Sequence, residues 1–210
     1  MKLVIPHPGH FSALKEICKE APKNSEIYMA GTPEVLGSGR ITLHSTSLEE
    51  IGKQAKYVNN NKLNLGIVLN PSCMSGQHLT SQGYNMFKWY FGKLDEFGVD
   101  TVTVAEPYLV ELLTKEFPDI KVVISVISHV DSPERARFFE ELGAHAITLD
   151  TNINRNFDIL EGIKDVVDCE LRLLVNEGCL YKCPFRYSHF NLFSHMTALG
   201  NKPNIFSDYY

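Results

Sequence analysis

The sequence predicts an α/β protein of the (β/α)8 TIM-barrel type, read as seven βα units and so incomplete, in one domain over residues 1–210. Three observations carry this. Short β-branched runs alternate with longer stretches of helical periodicity. The runs are apolar nearly throughout, as parallel strands covered on both faces must be. The alternation repeats seven times with no composition break, which favours a closed barrel over the alternative, an open doubly wound sheet.

The strands are read at Leu3–Ile5, Glu26–Met29, Leu65–Leu69, Thr101–Val104, Lys121–Val126, Ala146–Leu149 and Glu170–Val175. Between them, Phe11–Glu20 puts Leu14, Ile17 and Cys18 on one face, so Cys18 reads as core. Thr46, Ser47 and Glu50 are helix-starting chemistry ahead of Ile51, Ala55 and Val58. Tyr84–Phe97 is apolar on one side. Glu106-Pro107 opens the next helix, with proline in the first turn where its missing N–H is harmless. Ser132-Pro133-Glu134 opens another and Gly143 closes it. Asn154–Val167 fills the sixth gap. After Val175 no clear eighth strand follows; Asn204–Phe206 is too short to count as one. Gly37-Ser38-Gly39 sits in a loop without the partner positions of a dinucleotide fingerprint.

Composition narrows the function. The net charge of −5 offers no basic field for DNA. The apolar start at Leu3–Ile5 is cut short by Pro6 and Pro8, so no leader is read. No apolar run approaches the roughly 20 residues of a membrane span. The expected location is cytoplasmic. Five cysteines, an odd number, then argue for metal or redox use rather than structural disulfides.

Barrels work at the C-terminal ends of their strands. The candidates there are His7, Gly31 to Glu34, Asn70 with Cys73, Glu106, Ser128 with His129, Asp150, and Asn176-Glu177 with Cys179. Asn70 and Asp150 read first as cap or turn residues. The sharpest local feature runs from Asn176 to Pro184, where Cys179 and Cys183 stand four apart after the seventh strand. Thiolates so placed suit soft metals and iron–sulfur clusters, and a proline after the second cysteine is common at cluster loops. The bland reading is two half-buried cysteines in a helix. Cys73, at another strand tip, is a candidate third ligand; Cys169, at the opposite end of the barrel, is a poor one. Downstream, His189 and His195 offer acid–base or metal chemistry, and Arg186 offers a fork for a carboxylate or phosphate. The aromatics between them read as core before they read as a stacking surface.

The ordered series of segments resembles peptidase family U32, the collagenase-like group. Leu3 to Gly9 is similar to its opening strand and turn, Ile27 to Gly31 to its second strand, and Phe97 to Pro107 to its Phe-Gly-Val-Asp stretch. Ser132 to Gly143 resembles the helix before its sixth strand, and Glu170 to Cys179 the strand that delivers its first cysteine. Here Asn176-Glu177-Gly178 stands where the family usually has His-Gly, and the gap to the second cysteine is shorter. The resemblance implies a barrel, in many members with a [4Fe-4S] cluster on four cysteines. It also implies accessory roles in oxygen-independent hydroxylation, in quinone synthesis or on RNA bases. Nothing past Cys183 is cysteine, so the remaining ligands are expected outside this chain.

The function expected first is therefore an iron–sulfur enzyme or subunit modifying RNA or an aromatic small molecule, alone or with a protein partner or paralogous subunit. Cys179 and Cys183 would hold the cluster, and Glu106, His129, Asn176, Glu177, Arg186 and His189 would shape the pocket. One alternative is a peptidase with Cys179 or Ser128 as nucleophile and His129 or His189 as base. Another is a non-catalytic barrel that binds a partner or a metal, with Zn2+ on Cys179, Cys183 and His189 as one form.

Overall fold

A computed structural model describes residues 2–32, 35–39 and 46–197. Glu34, expected at the second strand tip, and the segment Asn204–Phe206 lie outside the described residues.

Seven strands alternate with seven helices: β1 Val4–Pro6, α1 Phe11–Glu20, β2 Glu26–Ala30, α2 Leu48–Asn60, β3 Asn64–Leu69, α3 Ser81–Glu96, β4 Thr101–Val104, α4 Pro107–Glu116, β5 Lys121–Ile124, α5 Pro133–Glu141, β6 Ala146–Thr148, α6 Phe157–Lys164, β7 Glu170–Arg172 and α7 Arg186–Thr197. The strands pair in sequence order from β1 to β7, all parallel. This is a curled partial barrel of the TIM type, as the alternation predicts.

Local chemistry explains the boundaries. Ser47 accepts from the Glu50 N–H while the Glu50 carboxylate receives the Ser47 N–H, a complete capping box ahead of α2. Ser132 caps α5, and Pro107 and Pro133 occupy first-turn positions. Gly143 takes φ +102°, and a Cβ there would meet Thr114 Cγ2 at 2.7 Å.

Several elements are shorter than expected. Ser125 Oγ accepts the Ile127 N–H and starts a 3-10 turn, so β5 ends at Ile124 rather than Val126. Asn156 caps α6, which shortens it to Phe157–Lys164. β7 ends at Arg172, because only β6 pairs with it; Leu173 and Val175 are exposed.

The core lies between sheet and outer helices, with Leu14, Ile27, Ile51, Leu65, Leu94, Leu109 and Leu113 fully buried. Cys18 belongs to it, as its helical face predicts. β1 and β7 do not pair with each other. An ionic bridge spans their gap instead. Arg172 on β7 donates to both oxygens of Glu26 on β2, at 2.9 and 2.8 Å. Lys2 lies 3.8 Å from Glu26 and 3.6 Å from Glu170. Room for the buried Glu26 carboxylate comes from Gly66 on β3, where a Cβ would sit 2.8 Å from Glu26 Oε1.

Candidate functional site

At the C-terminal ends of the strands, α7 does not pack outside the barrel like its predecessors; it crosses the mouth. Arg186 at its start meets Asp150, beyond β6. Phe190 packs on Val126 and Ile127, beyond β5. Ser194 Oγ accepts the Ser72 N–H at 2.8 Å, beyond β3, and Ser72 Oγ donates to Asn191 Oδ1 at 2.7 Å. Thr197 Oγ1 accepts the Ser38 N–H at 2.6 Å, beyond β2. Below the helix, Ser38 donates to Asn70, and Asn70 donates to Ser125, all three buried. Hydrogen bonds thus satisfy the buried polar groups that an apolar core would leave orphaned.

Asp150 anchors the site. Its Oδ1 accepts the Asn152 N–H at 2.8 Å and caps the turn Thr151–Ile153, as its position predicts. Its Oδ2 lies 2.8 Å from His129 Nδ1. One Arg186 nitrogen donates to both oxygens, at 2.8 and 3.0 Å. Burial pushes the carboxyl pKa up. The hydrogen bonds from His129, Asn152 and Arg186, with the guanidinium charge, outweigh it and hold Asp150 below the usual carboxylate range. An ionised Asp150 can only accept, so Nδ1 of His129 carries the hydrogen; Nε2 then accepts in the neutral ring and donates in the imidazolium. That Nε2 is buried and has no partner among the described residues.

The backbone presents His129 at some strain. It sits in the left-handed region at φ +51°, ψ 48°. For a non-glycine residue this costs on the order of 1 kcal/mol, and such outliers gather at functional sites. Two hydrogen bonds hold the conformation: His129 N–H to Val126 O at 3.2 Å, and Arg135 to His129 O at 2.6 Å.

A cavity of about 290 Å³ opens beside His129, between α7 and the loops beyond β3, β4 and β5. Glu106, Ser72, Asn191, Tyr187, Phe190 and Ile127 are among its walls. Tyr187 stacks on the His129 ring with centroids 4.3 Å apart. Beyond β6 and β7 a larger open cleft of about 870 Å³ is lined by Asn152, Arg155, Phe157, Glu177, Cys179 and Tyr181, among others.

The sequence candidates divide accordingly. Glu106 and His129 share the small cavity, and Arg186 reaches it through Asp150. Glu177 and Cys179 line the larger cleft, with the Cys179 N–H on Glu177 Oε1. Asn176 is exposed. Cys183 is half-buried in the turn before α7, and its carbonyl accepts the Arg186 N–H at 3.3 Å. The cysteines therefore stand in a loop, not in a helix. His189 is exposed on α7 between Phe185 and Phe193. Ser128 donates to the Ala105 carbonyl at 3.0 Å. Cys73 is half-buried beyond β3. Among the described residues no three of His, Cys, Asp or Glu gather closely enough to hold a metal ion. No helix among them is long and apolar enough to cross a membrane.

Asp150 was a strand-tip candidate that read first as a cap or turn residue, Tyr187 was read only among the interleaved aromatics, and Asn191 and Ser72 were not singled out. The aromatics of α7 split: Phe190 is buried, whereas Phe185 and Tyr187 are exposed. One signal was available: Arg186 is a lone arginine among aromatics, which calls for a buried acid.

The sequence pattern of peptidase family U32 matches residues 10–199. The chain is 42% identical to the uncharacterized protease MJ1657 of Methanocaldococcus jannaschii, a match over 98% of this chain. It spans 64% of that relative's length. Among solved structures, the U32 peptidase Mk0906 superposes with a TM-score of 0.83 at 30% identity, over 98% of this chain and 83% of that one. A 2,3-dimethylmalate lyase superposes at a TM-score of 0.58 and 14% identity, over 99% of this chain and 80% of that one, a likeness of fold alone.

Proposed function

This chain belongs to peptidase family U32, and on that footing we propose that it is the barrel of an enzyme, or enzyme subunit, that modifies an aromatic small molecule or an RNA base by oxygen-independent hydroxylation. One observation carries this reading: His129, held by Asp150 with its Nε2 unpartnered, lines a cavity that also holds Glu106 and an aromatic wall. In this reading Tyr187 and Phe190 stack the substrate ring. His129 takes or returns a proton at Nε2, with Asp150 and Arg186 as positioning residues. A cytoplasmic location is part of this reading, because a reducing compartment suits a chain with an odd five cysteines.

The resemblance implies a [4Fe-4S] cluster. The described residues do not fit a complete one. Cys179 and Cys183 supply two thiolates where a cubane cluster takes four, and among the described residues they belong to no group of three or more His, Cys, Asp or Glu close enough to hold a metal. A cluster here would draw its other ligands from outside the described residues or from a partner subunit. Iron and sulfide analysis with an absorption spectrum, on anaerobically purified protein, tests this. Iron and sulfide that disappear in Cys179→Ser support the cluster. Iron-free, colourless protein after reconstitution of the longest natural chain removes it; zinc alone moves the assignment to the zinc alternative.

One observation favours a peptidase instead. The Asp150–His129 hydrogen bond has the arrangement that the orienter and base of a catalytic triad would take. The nucleophile is missing from the pattern, since Ser128 is engaged with Ala105 and Cys179 lines the other cleft. Peptide cleavage that is abolished by His129→Gln and by one serine or cysteine substitution would establish this reading over the first.

A further inference from the structure

We propose that the cavity beside His129 selects a single planar ring whose edge carries N–H or O–H donors, and that it rejects phosphorylated and carboxylated rings. This rests on the reading of the barrel mouth as a substrate site and names what that site takes.

The polar groups offered to a ligand are acceptors. His129 is 8% exposed with its Nε2 unpartnered among the described residues, and with Nδ1 donating to Asp150 the neutral ring offers that Nε2 as an acceptor. Glu106 occupies the N-cap position of α4 but does not use its side chain to cap it. No hydrogen bond or ion pair engages its carboxylate among the described residues. Both groups line the same cavity. A buried acceptor without a donor is costly, so a ligand bringing N–H or O–H groups to both recovers that energy.

Among the described residues that line it, no lysine or arginine appears to meet an anion. The nearby guanidinium of Arg186 donates through its two terminal nitrogens to Asp150 and Thr151, and its charge is paired with Asp150, while its Nε is buried without a partner among the described residues. An anionic ligand would face the Glu106 carboxylate with no described cation in the lining to offset the repulsion.

Size and walls set the rest. About 290 Å³ lies at the low end of ligand cavities, enough for one substituted ring and too little for a nucleotide. Phe190 and Tyr187 provide aromatic faces. Tyr187 covers the imidazole, is 62% exposed and makes no hydrogen bond through its side chain among the described residues. Its ring can therefore swing aside to admit the ligand.

The test compares three probes by ligand-observed NMR titration on the intact chain: 3-aminophenol, 1,3-dimethoxybenzene (a ring without donors) and phenyl phosphate. Millimolar binding of 3-aminophenol is expected, with both other probes about tenfold weaker or worse. Glu106→Gln, at a half-exposed position, should weaken 3-aminophenol by about tenfold and narrow its advantage over phenyl phosphate. His129→Asn, which keeps a residue tolerant of the left-handed backbone, should weaken it too. Phenyl phosphate or dimethoxybenzene binding as well as 3-aminophenol, unchanged affinity in Glu106→Gln, or no binding of 3-aminophenol overturns the proposal. Iron content and modification activity of the same preparation read the enzyme assignment separately. Protein with cluster and activity but no ring preference keeps that assignment and discards this inference. Inactive, iron-free protein with the ring preference does the reverse.

Discussion

At the scale of single residues, the site depends on one ionised carboxyl. A carboxyl whose folded pKa lies below its usual value of 3.8 contributes stability at neutral pH that is lost as pH falls through the folded value. Wild type should therefore lose its advantage over Asp150→Asn in urea-melt midpoint as the pH drops from about 5 toward 2. A gap that stays constant across that range would mean Asp150 is not held ionised. The thiols differ in the same physical way. Burial pushes Cys18 up, and burial with the Glu140 carboxylate pushes Cys169 up to about 12. Iodoacetamide at pH 8 should label exposed Cys179 first and leave Cys18 and Cys169 untouched until the chain unfolds. Peptide mapping by mass spectrometry reads the order directly. That Glu106 and His129 lie at strand tips was legible in sequence because a strand tip is a local property, whereas Arg186 stood out only as an arginine among aromatics. The second role of Asp150 was not, because its partners stand 21 and 36 residues away.

At the scale of elements, caps were legible and placement was not. The Ser47–Glu50 box and the Ser132-Pro133 start are short-range hydrogen-bond chemistry and appear where expected. The position of α7 across the mouth has no such signal. Its buried residues, Arg186, Phe190, Ser194 and Met196, mix polar and apolar, so no apolar stripe marks an inward face. Its attachment rests on hydrogen bonds that can be removed singly. Ser194 is fully buried, donating to Phe190 O at 2.7 Å and accepting from Ser72 N–H. Ser194→Ala orphans the Ser72 N–H, at a cost of about 1–3 kcal/mol. Because the outer helices do not depend on it, the loss should appear mainly as faster amide hydrogen exchange in α7 and the loop beyond β3. Exchange that quickens equally in α2 to α5 would show that α7 is part of the global unit rather than a strap laid over it.

At the scale of the whole molecule, the seven-strand count and parallel order were legible because each buried strand announces itself by composition. How the two ends of the sheet meet was not, because a contact there is between residues 146 apart in sequence. With β1 and β7 unpaired, the Glu26–Arg172 pair, with Lys2 beside it, links β2 to β7 across the gap, and Glu26 is 1% exposed. Removing one partner of such a pair strands a buried charge and typically costs about 3–5 kcal/mol. Arg172→Met and Glu26→Gln should each lower the chemical-denaturation midpoint sharply. The double variant should cost less than the sum, since neither charge is then left alone. Gly66→Ala gives an independent check without touching either charge. Its methyl group meets Glu26 Oε1 at 2.8 Å and Thr101 Oγ1 at 2.5 Å, so it must displace the carboxylate from Arg172. If the ion pair closes the barrel, Gly66→Ala should be destabilising in wild type and much less so in the Glu26→Gln, Arg172→Met background. Additive losses in that triple variant would mean that the curl is set by strand twist and helix packing, with the pair only filling the seam.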